Sequence, residues 1–191
     1  MKKFLKALAI LSCAILLVIA TIAGTVAYLT DTATVENTFT VGKVEITLDE
    51  AKVTEYGVQN GDTRVATNEY KLVPGRTYMK DPTIHVAADS EECYIFFEIQ
   101  SELGAAVTFN IDNSKWTNIG DTNVYYYKQA VTAGDYVAFN EFTVSGTADV
   151  SALAGKTVNV IAYAVQTSTS FANAEAAWNA TKATFGAPVN P

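Results

Sequence analysis

The chain of 191 residues has one histidine and two cysteines, only 4 prolines and 11 glycines, and a deficit of base: 13 Lys and Arg against 20 Asp and Glu, a formal charge of −7. Each shortage excludes something. One His and two Cys cannot build a four-ligand Cys/His zinc cage or a multi-disulfide scaffold. An acidic chain lacks the electrostatic footprint of a nucleic-acid binder. So little Pro and Gly beside 49% hydrophobic and 11% aromatic residues argues against disorder. Sequence motifs are scarce too. There is no Gly-x-Ser-x-Gly, no His-Glu-x-x-His, no Walker loop and no Gly-x-Gly-x-x-Gly. The length suits one domain.

What is present begins with an uneven charge. Lys2, Lys3 and Lys6 are the only charges before Asp31, and residues 7–23 are a 17-residue run almost without polar side chains. A basic start, an apolar stretch and then small residues read as a secretory signal peptide. Thr25 and Ala27 are small and two apart, which places cleavage between Ala27 and Tyr28, with Ala23 and Gly24 as the alternative. The run is also long enough to span a bilayer as an uncleaved anchor. A lipidated Cys13 would end the run, which continues well past it. Removing residues 1–27 takes away three of the 13 basic residues and no acid, leaving 10 basic and 20 acidic groups, a net charge of −10 over 164 residues. Only Cys93 then remains, so no intramolecular disulfide can form. Its apolar setting, Cys93-Tyr94-Ile95-Phe96-Phe97, predicts a buried core thiol.

The rest reads as strands. Phe39, Val41, Val44, Ile46 and Leu48 alternate with polar residues, slipping once at Gly42-Lys43 in what reads as a bulge. Residues 50–70 are polar and rich in Gly and Asn, and Asn60-Gly61 there is a turn signal; Pro74-Gly75 is another. Strands are expected at 83–87, 93–100, 107–111, 116–119, 124–128, 136–144 and 157–166. Residues 93–100 are apolar on both faces and so central. Turn residues every 8–12 positions predict an all-β, jelly-roll-like antiparallel sandwich. It is preceded by a signal-peptide helix, and one short helix is expected over residues 174–183. Asn173 or Ser170 could cap that helix, and Phe171, Ala174, Ala177 and Trp178 share one face that should cover an end of the sandwich. The expected organisation is a leader over 1–27, an N-terminal segment over 28–37, a domain over 38–183 and a frayed tail over 184–191.

Candidate chemistry is thin. His85 lies mid-strand without a nucleophile motif and reads as a strand-surface residue, with a base or ligand as the alternative. The pairs and runs Asp49-Glu50 and Asp89-Ser90-Glu91-Glu92 lack calcium-loop spacing and read as solvated acidic loops. Tyr125-Tyr126-Tyr127 would be a sugar-stacking platform only if the rings shared a face, and consecutive strand residues point to opposite faces. Trp116 and Trp178 read as core.

The segment Gly24-Thr25-Val26-Ala27-Tyr28-Leu29-Thr30-Asp31, followed by Asn37-Thr38-Phe39-Thr40-Val41-Gly42-Lys43-Val44, resembles the N-terminus of the TasA/camelysin (CalY) family. These are exported Gram-positive proteins whose leaders are cut by the signal peptidase SipW. Pro74-Gly75, Lys80-Asp81-Pro82-Thr83, Ser90-Glu91, Cys93-Tyr94 and Ala162-Tyr163-Ala164-Val165-Gln166 ahead of Ala176-Ala177-Trp178 resemble its clostridial branch. The resemblance implies a jelly-roll-like fold and a biofilm-matrix fibre subunit, secreted or held at the cell surface. It also implies strand donation, in which the freed N-terminus of one subunit completes a sheet of the next. On this chain the donor would be Tyr28, Leu29, Thr30, Asp31, Thr32 and the residues to Val35, whose β-propensity suits the role. Partners would then be further copies, and the signal peptidase during export, with the membrane met only through an uncleaved leader. Camelysin is also catalogued as a metallopeptidase, but this sequence offers no ligand set for one. The expectation is a structural protein and not an enzyme, with no cofactor and no metal. The alternative is a surface module binding glycan or protein, marked by an exposed aromatic groove at Tyr125–Tyr127.

Overall fold

The structure, a computed structural model, describes residues 43–185. The chain divides between Thr40 and Val41, and all the described residues lie in the second unit. The leader, the cleavage residues Ala27 and Tyr28, the donor segment 28–35 and the slip at Gly42 lie outside the described residues.

The described residues hold eleven strands, one α-helix and three short 3-10 helices. The strands are β1 (Ile46–Val53), β2 (Gln59–Val65), β3 (Thr77–Met79), β4 (Thr83–Val86), β5 (Cys93–Ser101) and β6 (Val107–Ile111). They continue with β7 (Trp116–Asn118), β8 (Val124–Tyr127), β9 (Gly134–Val137), β10 (Phe139–Val144) and β11 (Val158–Gln166). The helix, α1, spans Ala174–Thr181. Every pairing is antiparallel, in three sheets ordered β2-β1-β4-β9, β3-β10-β6 and β11-β5-β8-β7. This is the expected all-β antiparallel sandwich with one short helix.

Alternation explains how the sheets face one another. Ile84 and Val86 of β4 point inward and meet Cys93, Ile95, Phe97 and Ile99 of β5, with Trp116 and Phe139 filling the space between. Burying each of these large side chains contributes about 1.5–3 kcal/mol. The opposite face of β5 is apolar as well, because α1 covers it: Phe96 packs with Val165, Ala174, Ala177 and Trp178. The strand between β11 and β8 is therefore central, as its two apolar faces predict. The helix lies over the outer face of this sheet and not over an end of the sandwich. An apolar outer face at Phe96, Ile119 and Val165 would otherwise meet water. Asn173 is its cap, its side chain accepting from Ala176 N at 2.9 Å. Phe185 packs against Tyr163 and Trp178, with centroids 4.8 and 5.5 Å away, so the chain does not fray at residues 184–185.

Two further readings need correction. Residues 136–144 are two strands in different sheets, β9 and β10, broken at the fully buried Ala138, whose N–H donates to Pro82 O at 2.8 Å. The turn expected at Asn60-Gly61 falls elsewhere. Residues 50–70 hold the end of β1 and all of β2, and the turn between these is at Thr54–Val58, where Gly57 N donates to Thr54 O at 2.8 Å. Asn60-Gly61 lies within β2.

Gly57 has φ of +69°, and a Cβ there would sit 2.8 Å from Tyr78 Cα. Gly61 has φ of +78° but open space around it. Gly57→Ala should therefore destabilise by about 2–5 kcal/mol, combining left-handed strain with a backbone clash. Gly61→Ala should cost only about 1–2 kcal/mol. Urea unfolding of the two variants checks the order; equal losses would show that the Tyr78 contact does not constrain the turn.

Candidate functional site

Asp49 and Glu50 are neighbours on β1 and so serve opposite faces. Glu50 is 4% exposed and pairs with Lys80 Nζ at 2.6 Å. Asp49 points outward, diagonal to His85 on β4, which stands opposite Thr47 on one side and Asp135 of β9 on the other. His85 Nε2 lies 2.8 Å from Asp49 Oδ1 and its Nδ1 lies 2.7 Å from Asp135 Oδ1. Arg64 of β2 pairs with Asp49 and reaches Asp81 Oδ2 at 3.1 Å, and its Nη2 donates to Thr83 Oγ1 at 2.7 Å. Asp81 also accepts from Ala51 N at 2.7 Å. A chain of charge thus crosses the outer face of the sheet: Asp135, His85, Asp49, Arg64, Asp81. The Asp49-Glu50 pair is part of a strand and engaged on both sides, not a solvated acidic loop.

The electrostatics follow from this geometry. Partial burial works against the charge on His85, but the hydrogen bonds to Asp49 and Asp135 outweigh it and its pKa is raised. Partial burial likewise opposes ionisation of Asp49, while the Arg64 and His85 contacts overcome it and hold the carboxyl below its ordinary value. Because each ring nitrogen faces a carboxylate, neither is positioned to take a proton from a hydroxyl or thiol nucleophile. Among the described residues, no group of three or more His, Cys, Asp or Glu side chains is placed to hold a metal ion.

The other singled-out residues are packed. Tyr125 stacks on Phe97 at 5.0 Å and Tyr127 meets Trp116 edge-on at 5.0 Å, both inside the sandwich, while Tyr126 faces the α1 side. The three rings form no shared platform. Trp116 and Trp178 are core, at 1% and 9% exposure. Cys93 is fully buried, bridged to Val131 through backbone bonds of 2.9 and 2.8 Å, and burial pushes its thiol up to about 11. The run at Asp89 is tied down: Asp89 pairs with Lys43 at 3.1 Å and Ser90 Oγ accepts from Glu45 N at 2.9 Å.

No protein-family model, curated protein or solved structure matches the chain.

The feature that sequence reasoning passed over is an edge. β11 is nine residues long and carries no charge and no proline: Val158-Asn159-Val160-Ile161-Ala162-Tyr163-Ala164-Val165-Gln166. It pairs with β5 without a break over its whole length, and among the described residues no strand pairs with its other side. The other edges are shorter or polar. β3 and β7 have three residues, β9 has four, β6, though uncharged, has five, and β2 carries Asp62 and Arg64 and is exposed along nearly all its length. Charge, brevity and distortion are the usual protections of an edge, and β11 has none of them. The missing signal was in its composition, since a two-faced apolar run reads equally as a central strand.

Proposed function

We propose that this chain is an exported structural subunit that assembles into extracellular-matrix fibres by strand donation, as its N-terminal resemblance to the TasA/camelysin family implies. Residues 28–35 of one subunit, freed when a signal peptidase cuts between Ala27 and Tyr28, add to the edge of β11 in the next. The observation that carries this reading is that edge: nine residues, uncharged and continuous in register, offering a row of backbone groups to an extended segment. Side-chain alternation on β11 gives the added strand apolar neighbours on both faces, with Val160, Ala162 and Ala164 on the core side and Tyr163 and Val165 on the helix side.

Head-to-tail addition of this kind is heterologous and builds open filaments.

Protein beginning at Tyr28 should form fibres visible by electron microscopy and sediment as polymer. Protein lacking residues 28–35 should stay a soluble, folded monomer. Fibres that persist after that deletion would refute strand donation.

A further inference from the structure

We propose that His85 is a pH-operated clasp on the edge strand β9: as the imidazolium it ties β9 to β1 across β4, and on losing its proton it releases β9.

The clasp is built from three adjacent strands. β9 is an edge strand of four residues, held to the sheet by its backbone pairing with β4 and, on the outer face, by the Asp135–His85 contact. His85 is held from the other side by Asp49 of β1. With a carboxylate at each ring nitrogen, only the doubly protonated ring can donate to both. Once a proton leaves, one nitrogen presents a lone pair to a carboxylate, and the attraction on that side becomes repulsion.

The charged groups around the ring decide which side yields. On β1 there is Asp49, backed by Arg64 of β2 and through it Asp81 in the β3–β4 link. On β9 there is Asp135 alone, its side chain 72% exposed and with no cation among its contacts. Arg64 holds Asp49 in place whichever nitrogen keeps the remaining proton, whereas Asp135 sits on a short edge strand that can move away from the ring. The link that fails is the one to Asp135. Beneath β9, Val137 O accepts the indole N–H of Trp116 at 2.9 Å, so loosening β9 also frees a contact into the core.

The sign follows from linkage. A histidine whose pKa is higher in the closed state than in the open one contributes stability that is complete below the ordinary value of about 6.5 and is lost as pH rises through the closed-state value. In that window, opening releases one proton, so the opening equilibrium of β9 should grow by up to about tenfold per pH unit and then level off.

The chain has one histidine, so its imidazole signals are unambiguous in NMR of the full chain. We expect His85 to titrate above the ordinary histidine value and Asp135→Asn to lower that midpoint. Protection of the amides of Gly134–Val137, each corrected for its intrinsic exchange rate, should fall as pH rises across the window while staying below that of β5, and His85→Gln should make it independent of pH. Asp135 is exposed, so Asp135→Asn tests the clasp without disturbing the core. A His85 midpoint at or below the ordinary value would overturn the proposal. So would corrected β9 protection that ignores pH, or a pH step that survives in His85→Gln.

Discussion

Trp116→Ala should destabilise the domain by about 3–5 kcal/mol, the range for deleting a buried aromatic ring from a packed core. Trp116 is 1% exposed and meets Phe97 edge-on at 4.7 Å and Tyr127 at 5.0 Å. Its indole N–H also crosses from β7, at one edge of its sheet, to Val137 O on β9, at an edge of the facing sheet, over 2.9 Å. The ring thus fills the space between the sheets and also ties them together. Trp116→Phe separates the two contributions. It keeps an aromatic ring but removes the donor, leaving the Val137 carbonyl to find another partner, at a cost of about 1–3 kcal/mol. Urea unfolding followed by far-UV circular dichroism reads both losses. Against a typical domain stability of about 5–15 kcal/mol, the first is a large fraction. A loss under about 1 kcal/mol for the alanine variant would mean that this side of the core repacks freely.

Ile161→Lys should abolish fibre growth while leaving a folded monomer. Ile161 stands opposite Glu98 in the β5–β11 register, so the introduced lysine gains an oppositely charged cross-strand neighbour and the monomer tolerates it. A strand adding to the outer edge of β11 would meet that same charge at mid-length, and a lysine at such a position is how sheet edges resist pairing. Asn60→Lys on the exposed β2 edge is the matched control, and its fibres should grow as those of the unaltered chain do. Electron microscopy and sedimentation of the two variants, both beginning at Tyr28, read the difference. If Ile161→Lys elongates normally while removal of residues 28–35 still prevents fibres, the donor is right and the acceptor lies elsewhere.

The sequence was most legible where structure is local. The two apolar faces of residues 93–100 announced a central strand, and Asn173 ahead of Ala174, Ala177 and Trp178 announced a capped helix with a buried face. Asn60-Gly61 misled because a turn signal states only that a positive φ is tolerated there. It sits in β2, and the turn went to Gly57, where Tyr78 crowds the backbone from 21 residues away. Residues 136–144 misled for a related reason. Their composition is strand throughout, and nothing local marks Ala138 as the point where the chain changes sheets.

What the sequence determined alone is therefore the class of fold and the periodic faces, because side-chain alternation and capping are properties of neighbouring residues. Only the tertiary structure decided which residues meet across the chain. It set His85 between Asp49, 36 residues before it, and Asp135, 50 residues after it. It placed α1 over the outer face of β5, and among the described residues it left β11 at an edge when its composition would equally have suited a central strand. Sheet order and register fix those relations, and both arise from the collective packing of the core, which no short stretch of sequence encodes.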